Sequence, residues 1–284
     1  MKVLSEVLQL STRFLQDRKI KRPRRIVEDL LGALLRCKRI EIYMQFDRPL
    51  EEGELSTLRE WLKRSAQHEP IEYIVGEVDF FGCAIKVDSR VLIPRPETEL
   101  LVEHMAKKIT TQKSLWDVCT GSGCIGIALK KRFPNIDVSL SDISADALAL
   151  AKENGVKNGV EVSFFEGDLL TPFQGKRADI LVCNPPYVTS NEFLTLDASV
   201  RDFEPKLALV GGLDFYRRLG LEMPEYLNPG GLVFLEIGAS QGKDVQEIFA
   251  SPIWARSELI QDLSGKDRFF FLEKQSLSRV SYLH

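Results

Sequence analysis

From residue 114 onward, short apolar runs alternate with helical patterns. Strands are predicted at Ser114–Val118, Asp137–Leu140, Glu161–Glu166, Asp179–Cys183 and Leu232–Ile237, with two closing strands near 257–262 and 268–273. Helices are predicted from a glycine-rich turn to about Phe133, then over about 145–157, 213–227 and 241–250. Strands that are apolar on both faces and joined by helices belong inside a mainly parallel sheet with helices on either side. This alternation makes the fold class α/β and Rossmann-like. It also says where chemistry belongs, because such sheets bind ligands at the carboxyl ends of their strands.

The first 70 residues follow a different period. Val3, Leu4, Val7, Leu8 and Phe14 recur at helical spacing, as do Ile26, Val27, Leu30, Leu31 and Leu34, and then Leu55, Leu58, Trp61 and Leu62. Ile71, Tyr73 and Val75, followed by Phe80, Phe81, Ile85, Val87, Val91 and Ile93, suggest strands that turn near Gly76 and Gly82. The expected organisation is a helical bundle at 1–70, a β-hairpin linker at 71–93 and the sheet domain at 94–284.

Charge and composition narrow the function classes. Residues 1–70 carry 15 Lys or Arg against 11 Asp or Glu, whereas the chain as a whole is net -3. The sheet domain is therefore acidic, which argues against direct nucleic-acid binding there. No apolar run is long enough to span a bilayer, and Met1–Glu6 has no signal-peptide character, so a cytoplasmic protein is expected. Five cysteines with no C-x-x-C pair read as thiols in a reducing compartment. His68, His104 and His284 have no metal-ligand spacing, so no metal site is expected.

Asp117-Val118-Cys119-Thr120-Gly121-Ser122-Gly123 follows the first strand of the sheet domain and opens a helix. Glycines permit a tight turn and let a ligand approach the backbone closely. Asp142 follows about 20 residues later, where a ribose-binding acid belongs. The turn alone does not separate NAD from S-adenosylmethionine, since both present a ribose there. Asp168, after the third strand, is placed to accept from an adenine amino group or to cap a turn.

Asn184-Pro185-Pro186-Tyr187 ends the fourth strand and decides between the two ligands. Two prolines fix the backbone and remove two N–H donors. The Pro185 carbonyl and the Asn184 side-chain oxygen then supply two acceptors for one NH2 group, and Tyr187 offers a ring to a planar substrate. Methylation of an amide nitrogen needs such a grip, because its lone pair is delocalised and must be held in line with the methyl. A dehydrogenase has no use for two acceptors at that point.

These segments resemble the HemK/PrmC family, the protein-(glutamine-N5) methyltransferases of class I peptide chain release factors. The resemblance covers nearly the whole chain. It includes Glu69–Glu77, Phe80-Phe81-Gly82, Leu92–Glu99 with Pro94-Arg95-Pro96-Glu97-Thr98, Asp117–Gly123, Asn184–Tyr187, Arg201–Pro205, Gly211–Asp214 and Gly265–Arg268. It implies a class I methyltransferase sheet behind a helical domain and a β-hairpin linker. It implies that Cys119, Thr120, Gly121, Ser122, Gly123, Asp142, Asp168, Leu169 and Asn184 contact S-adenosylmethionine. It further implies that Asn184, Pro185, Pro186 and Tyr187 hold the glutamine of a Gly-Gly-Gln motif, with Asn184, Pro185 and Tyr187 in the catalytic role. Cys119 departs from the glycine found in most members, and a related family that methylates a large-subunit ribosomal protein often has Cys there.

Three other functions compete. An exocyclic amine of DNA or rRNA would suit the same chemistry but calls for a basic cleft. An NAD oxidoreductase rests on the G-x-G-x-x-G pattern alone, and a non-catalytic module would not need both Asn184 and Asp142. The basic run 18–25 reads as a solvated loop or a contact to an acidic partner. Pro94–Thr98 reads as a lid or a helix start, residues 201–205 as pocket wall, and His104 as part of a surface helix.

Overall fold

A computed structural model describes residues 2–276; Met1 and 277–284, including His284, lie outside the described residues. The chain forms two compact units. One runs to Glu77 and takes in Asp197–Phe203; the other comprises Val78–Leu196 and the chain from Glu204 onward.

The first unit is helical: α1 (Leu4–Gln16), α2 (Pro23–Leu35), α3 (Arg39–Met44), α4 (Glu52–Ser65) and α5 (Ile71–Val75). Pro23 starts α2, at the position where its missing N–H costs nothing. Leu4, Leu8, Val27, Leu30, Leu31, Ile42 and Leu58 form the core. The buried Glu28 accepts hydrogen bonds from Arg24 and Tyr43 and pairs with Arg39. Much of the basic run is paired within this unit, with Arg24 on Glu28, Arg25 on Asp29 and Lys21 on Asp197.

Residues 71–75 are helical, not the strand expected from Ile71, Tyr73 and Val75. Arg64 explains the outcome. Its guanidinium bonds Glu69 and donates to the carbonyls of Tyr73 and Ile74 at 3.2 and 3.5 Å, which satisfies the helix end. Gly76, at φ 83°, terminates the helix in the left-handed conformation.

The second unit opens with the hairpin β1 (Glu77–Phe80) and β2 (Cys83–Lys86), followed by α6 (Pro96–Lys108). It continues with β3 (Ser114–Val118), α7 (Cys124–Arg132), β4 (Asp137–Asp142), α8 (Ala145–Asn158), β5 (Ser163–Glu166) and β6 (Ala178–Cys183). Next come α9 (Asp214–Tyr226), β7 (Leu227–Glu236), α10 (Gly242–Ile248), β8 (Trp254–Gln261) and β9 (Asp267–Lys274). Asn154 and Asn158, four apart on α8, each exchange two hydrogen bonds with the β2 backbone, at Lys86 and Ala84. This fastens the hairpin edge to the helix. Residues 87–93 form no strand, so Val91 and Ile93 lie in a loop.

The sheet order is β5-β4-β3-β6-β7-β9-β8, parallel except for β9. Strand order reverses between β3 and β6, which opens a crevice at their carboxyl ends. Buried Trp116 and Phe173 stack at 4.0 Å beneath it. His104 packs its ring against Phe269 and Phe271, and burial lowers its pKa. Among the described residues no helix is long and apolar enough to cross a membrane.

Candidate active site

The glycine turn is built on an acid inside a buried strand. Asp117, 1 % exposed, uses Oδ2 to accept from Thr120 Oγ1 at 2.7 Å and from the Gly126 N–H at 2.9 Å. One carboxylate oxygen thus ties the turn to the helix that follows. Burial pushes its pKa up to about 7. Cys119, Gly121 and Gly123 all have left-handed φ, at 58°, 53° and 80°. Glycine would adopt that conformation at position 119 without steric cost, and Cys119 adopts it with a side chain in place. A Cβ at Gly123 would lie 2.9 Å from Ile127 and 3.2 Å from Ala151, so only glycine seats the helix here.

Asp142 latches three strand ends together. Its carboxylate accepts the N–H groups of Gly121 and Ser144, each at 2.9 Å, and its carbonyl accepts that of Gly167 at 3.0 Å. Burial raises its pKa while the two amides pull it down. Ile143 beside it is 53 % exposed, and Leu169 opposite is buried with φ 47°. Both line the cleft and give it apolar walls. Asp168 forms a two-point ion pair with Arg218 of α9, at 2.7 and 3.2 Å.

Asn184-Pro185-Pro186-Tyr187 leaves β6 at its carboxyl end. Among the described residues, neither the Asn184 side-chain amide nor the Pro185 carbonyl has a hydrogen-bond partner. The turn is held from behind. Val188 donates to the Leu209 carbonyl at 2.9 Å, Gly211 donates to the Val188 carbonyl at 3.0 Å, and Gln241 Nε2 donates to the Tyr187 carbonyl at 2.9 Å.

The facing wall comes from residues 90–98 and 204–209. Buried Glu204 accepts from the Ile93 N–H at 3.1 Å and from Arg95 at 2.6 Å, which stitches the two segments together. Pro96 and Glu97 start α6, so this stretch is a helix N-terminus, with Thr98 donating to Glu236 at 2.7 Å.

One cleft of about 1050 Å³, partly open to solvent, gathers most of these residues. Cys119, Thr120, Gly121, Ser122, Asp142, Asp168, Leu169, Asn184 and Pro186 line it. Gly123, Pro185 and Tyr187 do not. Gly123 serves the helix start, and the Tyr187 hydroxyl faces inward, 3.5 Å from Glu236. Sequence reasoning missed the supports Arg218, Glu236 and Gln241, and gave Asp117 and Glu204 no role beyond their place in the turn motif and the pocket wall. A lone acid in an apolar strand was an available signal for Asp117 and Glu236.

Residues 95–211 match the methyltransferase small domain and residues 6–76 match the PrmC N-terminal domain. The chain is 41 % identical over 284 residues to a release factor glutamine methyltransferase of Chlamydia trachomatis serovar L2, covering 98 % of this chain and 97 % of that protein. Enzymes of the same name from Geobacter sulfurreducens and Bacillus cereus are 37 % and 36 % identical, over 93 % and 95 % of this chain and 94 % and 99 % of theirs. The fold resembles a methyltransferase from Pyrococcus furiosus, with TM-score 0.52 and 17 % identity over 69 % of this chain and 90 % of that one. It also resembles a 16S rRNA N2 G1207 methyltransferase from T. thermophilus, with TM-score 0.51 and 15 % identity over 70 % of this chain and 50 % of that one. Across almost its full length, this chain belongs to the family of release factor glutamine methyltransferases.

Proposed function

We propose that the protein transfers a methyl group from S-adenosylmethionine to the side-chain nitrogen N5 of a glutamine in class I peptide chain release factors, in the cytoplasm. The observation that carries this reading is the unpartnered Asn184 amide, lining the same cleft as Asp142.

The residues suit a sulfonium nucleoside. Each Asp142 oxygen has accepted one backbone N–H and keeps lone pairs for a ribose diol. The space about Gly121 is open, and Ile143 and Leu169 offer apolar faces to a purine.

When bound, S-adenosylmethionine supplies an electrophilic methyl on a leaving group that needs no activation. The work left to the chain is geometric. Asn184 Oδ1 accepts one hydrogen of the glutamine NH2 in the cleft, and the unpartnered carbonyl of Pro185, between the two lining residues Asn184 and Pro186, serves as the second acceptor that turns the lone pair toward the methyl. As the bond forms, positive charge grows on nitrogen, and the same two oxygens stabilise it. Pro186 closes the wall and Tyr187 braces the turn. The methylated nitrogen is acidic and releases its proton without a dedicated base.

The test is mass spectrometry of purified release factor and of large-subunit ribosomal protein after incubation with enzyme and S-adenosylmethionine. One added methyl on the Gly-Gly-Gln glutamine supports the reading. Methylation of the ribosomal protein alone, or of neither protein, overturns the substrate assignment.

A further inference from the structure

Glu236 ends β7 with its side chain 1 % exposed, directly behind the acceptor turn. The register that pairs Cys183 with Leu235 brings Glu236 and Asn184 to the tips of neighbouring strands. One carboxylate oxygen accepts from Thr98 Oγ1 of α6 at 2.7 Å, and the other lies 3.5 Å from the Tyr187 hydroxyl. The Glu236 carbonyl accepts from Tyr216 of α9 at 2.9 Å. Tyr187 is thereby held at both ends, by Glu236 at its hydroxyl and by Gln241 at its carbonyl.

We propose that Glu236 is a positioning residue for methyl transfer, acting through Tyr187 and Thr98 to hold the Asn184–Tyr187 turn against α6. The inference rests on the reading of that turn as the acceptor site.

A purely structural role is a poor account of this acid. Among the described residues no cation is hydrogen-bonded to Glu236; the cation that favours its charge, Arg268, bonds Asp262 and the Ile237 carbonyl. Burying a carboxylate without a paired cation is costly, and glutamine would satisfy one hydroxyl at lower cost. What only the carboxylate does is accept from Thr98 with one oxygen while presenting a second, proton-free oxygen to the Tyr187 hydroxyl 3.5 Å away. It then fixes the direction of the Tyr187 proton, with the oxygen lone pairs turned away from Glu236. A protonated Glu236 has to donate to one of the two and loses that control.

The ionisable groups around it are Arg268 from β9, Glu97 from α6, Cys124 from α7, Tyr216 from α9 and Tyr187 itself. Burial outweighs Arg268 and the two hydroxyl bonds and pushes the carboxyl up to about 7. The ionised, controlling form therefore predominates above neutrality.

The experiment measures kcat against pH with saturating S-adenosylmethionine and release factor, together with the dissociation constant of S-adenosylhomocysteine, for wild type, E236Q, Y187F and D117N. Expected are a wild-type kcat that rises with pH about a midpoint near 7, and an E236Q variant lacking that limb. E236Q should lose about tenfold or more in kcat with cofactor-product affinity within about threefold. Y187F should lose the same limb, which keeps the test decisive even if E236Q does not fold. D117N should keep it, which separates Glu236 from Asp117, the carboxyl pushed up to the same value. The proposal is overturned if E236Q or Y187F retains the wild-type profile, or if E236Q loses product affinity in step with kcat. Failure of the wild-type enzyme to methylate release factor would instead sink the acceptor-site reading.

Discussion

Gly211 packs against the carbonyl oxygen of Pro186 so closely that a Cβ at position 211 would lie 2.4 Å from that oxygen. The same Cβ would meet the Phe215 ring at 2.4 Å. A backbone oxygen cannot rotate aside, so Gly211→Ala displaces the acceptor turn or its neighbour. The expected loss is about 1–3 kcal/mol of stability, with turnover falling further than cofactor affinity. Thermal unfolding and steady-state kinetics of G211A check this; unchanged kcat would mean that the turn tolerates the shift.

Asp142 and Asn184 are expected to fail in different ways. Asp142→Ala removes the acceptor that binds Gly121 and faces the ribose position, and should weaken S-adenosylhomocysteine by about tenfold or more. Asn184→Ala should cut kcat sharply while leaving that affinity within about tenfold. Calorimetric titration beside turnover measurements separates the two; equal losses of affinity would contradict the division.

Asp117 gives stability a pH dependence with a definite sign. Its carboxyl is raised to about 7 in the folded protein, against 3.8 for an ordinary aspartate. Between those values the folded state keeps a proton that the unfolded chain has lost, so stability falls as pH rises through the window. Asp117→Asn keeps an acceptor for Thr120 and Gly126 and removes the charge. Denaturant titrations at pH 5 and pH 8 should show a smaller fall for D117N. The difference should reach a few kcal/mol, because each pH step of one between the two pKa values is worth about 1.4 kcal/mol. An identical fall in both proteins would show that Asp117 does not titrate there.

Cys119 holds a left-handed conformation without being glycine. Cys119→Gly relieves the steric strain but frees the unfolded chain, so a net gain of at most about 1 kcal/mol is expected. Cys119→Val, branched at Cβ, should destabilise by more than about 1 kcal/mol. Unfolding midpoints decide, and a valine variant as stable as wild type would refute the strain.

Asp168 and Arg218 are each about two-fifths exposed, so their ion pair should add well under 1 kcal/mol to stability. Arg218→Ala nevertheless frees a carboxylate lining the cleft. Binding of S-adenosylhomocysteine should change by several-fold while the melting temperature barely moves. A large drop in melting temperature would assign Arg218 a structural role instead.

The parts legible in the sequence are those encoded locally. β3 reads from Ser114 to Val118 because Leu115, Trp116 and Val118 make a short apolar run, and the Gly121–Gly123 turn with Asp142 is a matter of spacing. Residues 71–75 were illegible because their β-branched and aromatic composition was overruled by Arg64 and Gly76. The six-residue α3 is too short to show a period. The supports of the site pair residues far apart in the chain. Arg218 lies 50 residues from Asp168, and Glu204 lies 109 from Arg95. No local pattern announces such partners.

Residues 197–203 belong to the helical unit although more than a hundred residues of sheet sequence precede them. During synthesis, which releases the chain from its amino end, the bundle therefore emerges first yet lacks its last piece until residue 203 has cleared the ribosome. Cutting the chain near residue 77 would part the bundle from residues 197–203 and from the Lys21–Asp197 ion pair, while leaving its apolar core, all within residues 4–75, on one fragment.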